Sequence, residues 1–220
     1  MIRAAIFDLD GTLLDSNPYW ARAPRDYLAS LGKAAAPDLA GTLFSMTVRE
    51  AAEYMITEYG LSVTPDEIMI GINATMERFY RMEIPIKPGV SGLLQALTVR
   101  GLPCAVASVT ERPLVEAALH HNGVLQYFSG IATTSEVGVG KNRPDVYLRA
   151  SRLLGTTPEE TLVFEDALHA LRTAADAGFR TVGIYDAGCE EQQSEIMLSC
   201  DLYLKDFTDP GPVLRAVETL

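Results

Sequence analysis

Five residues near the start of the chain, Asp8-Leu9-Asp10-Gly11-Thr12, constrain it more than any other stretch. Ile2 to Phe7 is a short, mostly apolar run, the pattern of a strand covered on both faces. Two carboxylates follow at once, one residue apart, and then a glycine that turns the chain without a Cβ clash. In an open parallel sheet the ligand crevice lies beyond the carboxyl ends of the strands. Asp8 and Asp10 are therefore expected there, where acids so close repel unless a cation or a shared proton relieves them. A solvated Asp-Gly turn is the plainer reading of the same residues. The rest of the chain decides between the two.

After Ser16 the pattern turns helical. Asn17-Pro18 predicts a cap and first turn, and Tyr19, Ala23, Tyr27 and Leu31 recur at helical spacing up to Gly32. Thr47 predicts the start of a second helix with Val48, Ala51, Ala52, Met55 and Tyr59 on its apolar face, ending at Gly60. Thr64-Pro65-Asp66-Glu67 has capping-box form ahead of Ile68, Ile72, Met76 and Phe79. From Pro88-Gly89 onward the pattern alternates. Strands are expected at Cys104–Ala107, Ile131–Thr133, Thr161–Phe164, Thr181–Tyr185 and Leu202–Leu204, with helices between them and a last one after Pro210. The alternation predicts an α/β fold, a Rossmann-like parallel sheet core built from residues 1–16 and 85–220. An all-helical cap domain, residues 17–84, is inserted after the first strand.

Composition narrows the function classes. No apolar run approaches the roughly 20 residues of a membrane span, and the first strand starts too early to leave room for a signal peptide. Cys104, Cys189 and Cys200 are odd in number and lack metal-ligand spacing, which predicts reduced thiols in a cytoplasmic protein. A formal charge of −11 with no basic stripe argues against nucleic acid. It also repels anionic substrates at long range, so a phosphate ester needs local cations. A monomer is expected.

Three further places carry candidate chemistry. Ser108 follows the strand Cys104–Ala107, and with Val109 and Thr110 it offers hydroxyls and backbone N–H groups suited to phosphate oxygens. A helix-capping serine is the plainer alternative. Lys141 stands between Gly138-Val139-Gly140 and the start of a helix, a solvated lysine or a site cation. Glu165-Asp166 closes the strand Leu162-Val163-Phe164 as Asp8 and Asp10 close the first. Such a pair suits Mg²⁺, which takes one or two carboxylates plus waters and substrate phosphate, the alternative being acids that complement a helix N-terminus. All four places fall at or near the carboxyl ends of expected strands, whereas polar residues without a joint role would scatter to both ends. Phosphoryl transfer needs a nucleophile, an acid/base, a metal and a cationic or hydroxyl cradle, and each is present. His120, His121 and His169 fit none of these roles.

Phe7-Asp8-Leu9-Asp10-Gly11-Thr12-Leu13-Leu14-Asp15-Ser16 resembles the first motif of the haloacid dehalogenase superfamily, and Ser108, Lys141 and Phe164-Glu165-Asp166-Ala167 resemble its second, third and fourth, in order. The resemblance spans nearly the whole chain. It implies Asp8 as nucleophile and Asp10 as general acid/base, with the Asp10 backbone carbonyl also on the metal. It further implies Lys141 as the catalytic lysine and Mg²⁺ among Asp8, Asp10, Glu165 and Asp166. The helical insert is similar to the cap of β-phosphoglucomutase-like members. Arg49, in Ser45-Met46-Thr47-Val48-Arg49-Glu50, resembles a cap arginine that contacts substrate phosphate, a plain surface arginine being the alternative. Two departures stand out: Lys141 is followed by Asn142-Arg143 where many members have proline first, and Trp20 stands where β-phosphoglucomutases carry a histidine.

The expected activity is a Mg²⁺-dependent phosphatase acting on a small phosphorylated metabolite, a sugar phosphate foremost. A sugar phosphomutase shares the chemistry and is weakened by Trp20. A dehalogenase leaves Asp10 without a role. A phospho-accepting signalling domain is disfavoured by the D-x-D spacing and the helical insert.

Overall fold

The computed structural model describes residues 1–44 and 46–220, and the chain divides into two compact units, Met1–Asp15 with Pro85–Leu220, and Ser16–Ile84. The first unit opens with β1 (Ala4–Phe7), whose four side chains are all buried. The helical unit then holds α1 (Asn17–Ser30), α2 (Leu39–Phe44), α3 (Val48–Tyr59) and α4 (Pro65–Met82). The chain returns to the first unit with α5 (Val90–Val99), β2 (Cys104–Ser108), α6 (Arg112–His121), β3 (Phe128–Thr133), α7 (Thr134–Val137) and α8 (Asp145–Leu154). It closes with β4 (Thr161–Glu165), α9 (Leu168–Asp176), β5 (Arg180–Ile184), α10 (Gln193–Ser199), β6 (Leu202–Leu204) and α11 (Gly211–Thr219).

The strands make one parallel sheet in the order β3-β2-β1-β4-β5-β6. Strand order reverses between β1 and β4, which puts the crevice of an open α/β sheet at their carboxyl ends. The register pairs Phe7 with Phe164, and their rings stack at 4.2 Å. Asp8 and Glu165, each the next residue along, therefore emerge side by side. Below them, one layer of the core joins Ile6, Ala105, Ala132, Val146, Tyr147 and Val163. Small alanines on β2 and β3 let α8 lie close against the sheet.

After β1 the chain folds back on itself. Gly11 takes φ +79°, donates its N–H to the Leu14 carbonyl at 3.0 Å, and so allows the N–H groups of Leu13 and Leu14 to return to the Leu9 carbonyl. Leu9, Leu13 and Leu14 are fully buried, which anchors this turn and with it the two acids. The return after the helical unit is equally tight. Gly89 has φ +85°, and a Cβ there would lie 2.1 Å from the Phe207 carbonyl carbon.

In the helical unit α1 packs on α2 and α4, and α3 on α4, around Tyr27, Leu28, Leu39, Ala52, Met55 and Ile68. Thr47 with Glu50 and Thr64 with Glu67 form reciprocal capping boxes at the starts of α3 and α4. Gly60 ends α3 in the left-handed conformation.

Several local expectations are corrected. Ser16, not Asn17, occupies the N-cap of α1, and Asn17 and Pro18 are already helical. Leu31 is 40% exposed rather than part of the apolar face. Pro24 lies inside α1, where the helix continues without that N–H. Ser108 is the last residue of β2 rather than the first beyond it, and β3 starts at Phe128 rather than Ile131. The short helices α2, α7 and α10 were not anticipated, since six, four and seven residues are too few to display a period. Among the described residues no helix is long and apolar enough to cross a membrane.

Candidate active site

Asp8 stands one residue past β1, and its N–H donates to the Phe164 carbonyl at 3.0 Å, which extends the β1–β4 pairing to the edge of the crevice. Glu165 ends β4 and Asp166 follows it. The carboxylates of Asp8, Glu165 and Asp166 are buried, and one oxygen from each lies within 4.8 Å of the others. Lys141 enters from the loop between α7 and α8. Its Nζ donates to both Asp8 Oδ1 and Glu165 Oε1, and only 7% of the residue is exposed. Gly138, left-handed at φ +77°, ends α7 and turns the chain toward this position.

The charge balance of this group is lopsided, with three carboxylates facing one ammonium. Burial disfavours the Lys141 ammonium, but the charges of Asp8 and Glu165 outweigh that and hold its pKa above the ordinary value. Burial, reinforced by the Asp8 charge, raises the Glu165 carboxyl despite Lys141. Burial, then Asp8 and Asp186, raise Asp166 despite the hydroxyl proton of Thr12. One cation leaves three buried acids incompletely neutralised, which favours a second positive charge at this place. An all-oxygen cluster of this kind fits a hard divalent cation.

The other candidate residues fall in two groups. Asp10, beyond Asp8, accepts the Thr110 hydroxyl proton on Oδ2 at 2.7 Å. Ser108 Oγ accepts the Thr110 N–H at 2.9 Å, which leaves the serine its own proton to donate. Val109 is exposed, so its backbone and not its side chain belongs with these groups. Asp8, Asp10, Ser108, Thr110, Lys141, Glu165 and Asp166 thus all sit around the carboxyl ends of β1, β2 and β4. Trp20 and Arg49 lie in the helical unit. Trp20 lines an apolar cavity of about 580 Å³ with Leu43, Val48, Met55, Ile68 and Ile72. Arg49 is exposed and pairs with Asp66 at 3.5 Å. Ser45, which opens the stretch that carries Arg49, lies outside the described residues. His120, His121 and His169 are on the surface.

The family model of the haloacid dehalogenase-like hydrolases matches residues 2–178. The chain belongs to this family.

Among its relatives is the validoxylamine A 7'-phosphate phosphatase of Streptomyces hygroscopicus subsp. limoneus, 30% identical over 95% of this chain and 96% of that one. The bifunctional riboflavin kinase/FMN phosphatase of Arabidopsis thaliana is 28% identical over 93% of this chain, which spans only 53% of that longer protein. Among solved structures, a mutant of CbbY from Rhodobacter sphaeroides in complex with xylulose-(1,5)-bisphosphate superposes with a TM-score of 0.74 at 25% identity, covering 95% of this chain and 96% of that one.

Further polar groups border the acidic cluster and its surroundings. Thr12 donates its hydroxyl proton to Asp166 Oδ1 at 3.0 Å. Cys189, beyond β5, brings its thiol to 3.7 Å from Asp166 Oδ2. Lys87 Nζ, almost fully buried, bonds Asp186 Oδ2 and the Tyr185 carbonyl, each at 2.7 Å. Tyr147, in the first turn of α8, donates its hydroxyl proton to Glu165 Oε1 at 2.6 Å. It shares the buried face of α8 with Val146 and Ala150, a spacing that by itself speaks only of packing. The available signal was that a buried tyrosine hydroxyl needs a partner.

Proposed function

We propose that this protein is a Mg²⁺-dependent phosphatase of small phosphorylated metabolites, a sugar phosphate foremost, working through an aspartyl-phosphate on Asp8. The observation that carries the proposal is the buried Asp8–Lys141–Glu165 arrangement at the point where strand order reverses. The Asp8 carboxylate attacks phosphorus in line, and the bond from phosphorus to the ester oxygen breaks. Asp10 gives the departing oxygen its proton. Asp10 then takes a proton from water, whose oxygen attacks the same phosphorus, and the bond to Asp8 breaks to release inorganic phosphate. Lys141 holds Asp8 in place and offsets the charge of an anionic substrate. Ser108, Thr110 and the N–H groups around Val109 cradle the phosphoryl oxygens. Asp8, Glu165, Asp166 and the Asp10 carbonyl would hold Mg²⁺, which would supply further charge neutralisation when bound.

Residues 1–16 and 85–220 are read as the catalytic core and 17–84 as a cap whose Trp20 and Arg49 help select the substrate. Trp20 in place of an imidazole supports hydrolysis over phosphoryl return, because an indole N–H donates but cannot relay a proton. The same reading places the protein in the cytoplasm as a monomer without nucleic-acid or membrane partners, in keeping with its charge and free thiols. A phosphate-release screen over a panel of sugar and polyol phosphates, run with Mg²⁺ and with excess chelator, tests the proposal. Metal-dependent multiple turnover is expected, and release that survives the chelator would overturn it.

A further inference from the structure

Tyr147 is fully buried, and its ring packs in the sheet-facing core beside Ile6 and Val163. Phenylalanine would fill the same space without a polar atom to satisfy, so the hydroxyl calls for a separate reason. That hydroxyl lies 2.6 Å from Glu165 Oε1, the same oxygen that Lys141 bonds. The two donors differ in kind. Lys141 is a cation shared with Asp8, whereas the Tyr147 phenol brings a single hydroxyl proton, which it gives to Glu165. Lys141 also lies 5.7 Å from the centre of the Tyr147 ring, so one side chain borders both partners of the ion pair.

We infer that Tyr147 is a positioning residue for the metal centre: it holds Oε1 of Glu165 so that Oε2 is the oxygen presented to the cation. This rests on the reading of the acidic cluster as a metal site. Without the hydroxyl, Oε1 of Glu165 loses its neutral donor and keeps the one it shares with Asp8, so the carboxylate can turn about its last bond. Partners that orient a metal ligand in this way are worth roughly 10- to 100-fold in metal affinity.

The test is calorimetric titration of the full-length protein with Mg²⁺ alone, for wild type, Tyr147→Phe, Glu165→Gln and the double variant, alongside thermal melts. Tyr147→Phe should weaken Mg²⁺ binding by about 10-fold or more. Its Mg²⁺ activation constant should rise by more than kcat at saturating Mg²⁺ falls. In the Glu165→Gln background the same change should add almost nothing, because the hydroxyl acts through that carboxylate. Unchanged Mg²⁺ affinity in Tyr147→Phe overturns the inference, as does a lowered melting temperature with affinity intact, which would make the hydroxyl purely stabilising. Equal losses with and without Glu165 also overturn it. Wild type that binds no Mg²⁺ would instead refute the metal reading itself.

Discussion

The Thr110 hydroxyl donates to Asp10 Oδ2 at 2.7 Å, joining the loop after β1 to the end of β2 across 100 positions of sequence. The neighbouring strands that bring them together are paired in parallel, Phe7 opposite Val106. The bond fixes one carboxylate oxygen of the proposed acid/base. Thr110→Val should therefore lower kcat roughly 10-fold or more, the size of a hydrogen bond to a charged group, while Thr110→Ser retains most activity. Wild-type kcat in the valine variant would show that Asp10 is held by other means.

Asp8→Asn keeps the shape of the side chain and removes the nucleophilic charge. Turnover should be lost, with the thermal melt still cooperative because the amide still fills its place between β1 and β4. More than a few per cent of wild-type activity, measured with the mutant purified away from any host phosphatase, would mean that Asp8 does not attack.

Lys141 is the cation in contact with both Asp8 and Glu165. An opposite charge at contact distance is worth on the order of 4 kcal/mol at an effective dielectric near 20, so Lys141→Ala should cost roughly 100- to 1,000-fold in kcat/KM. Substitution by arginine should not restore it, since a planar fork does not fit the place of a point charge. Near-normal rates in the alanine variant would reduce Lys141 to a structural ion pair.

Glu165 and Asp166 hold their protons to higher pH in the fold than in the open chain, principally because burial disfavours their charged forms. The folded state thus binds more protons than the unfolded one above the ordinary carboxylate range. Stability of the metal-free protein is greatest on the acid side and falls as pH rises through the raised values. Mg²⁺ displaces the same protons, so its stabilising effect should grow in the same direction. Melting temperatures in chelator and in Mg²⁺, from about pH 5.5 to about pH 8.5, should diverge steadily. A chelator curve that rises with pH would contradict the account.

The sheet was legible because each strand announces itself locally: β1 and β4 are unbroken apolar runs that stop at an acid. Burial on both faces makes the run, and the crevice beyond it makes the acid. Placing Lys141 beside Asp8 is a different matter, since it depends on the turn at Gly138 and on α8 packing over β1 and β2, neither of which leaves a local trace. Tyr147 shows why. Its spacing with Ala150 reports the buried face of α8, but the partner of its hydroxyl sits 18 residues on, at the end of another strand. Thr12 and Lys87 were missed for the same reason, each bonding an acid far along the chain.

Trp20 separates the two phosphoryl-transfer outcomes. A mutase must keep its phosphoenzyme from water until the second acceptor arrives, and an imidazole that trades protons can gate that step. The Trp20 indole lines an apolar cavity within the helical unit, and its N–H can donate a hydrogen bond but cannot relay a proton. Net release of phosphate from hexose or pentose phosphates is therefore expected, with no interconversion of glucose 1- and 6-phosphates even when a bisphosphate primer is supplied. An NMR time course with β-glucose 1-phosphate, primer and Mg²⁺ decides the matter. Glucose 6-phosphate growing in faster than inorganic phosphate would establish the mutase, and Trp20→His would then be expected to leave that ratio unchanged rather than create it.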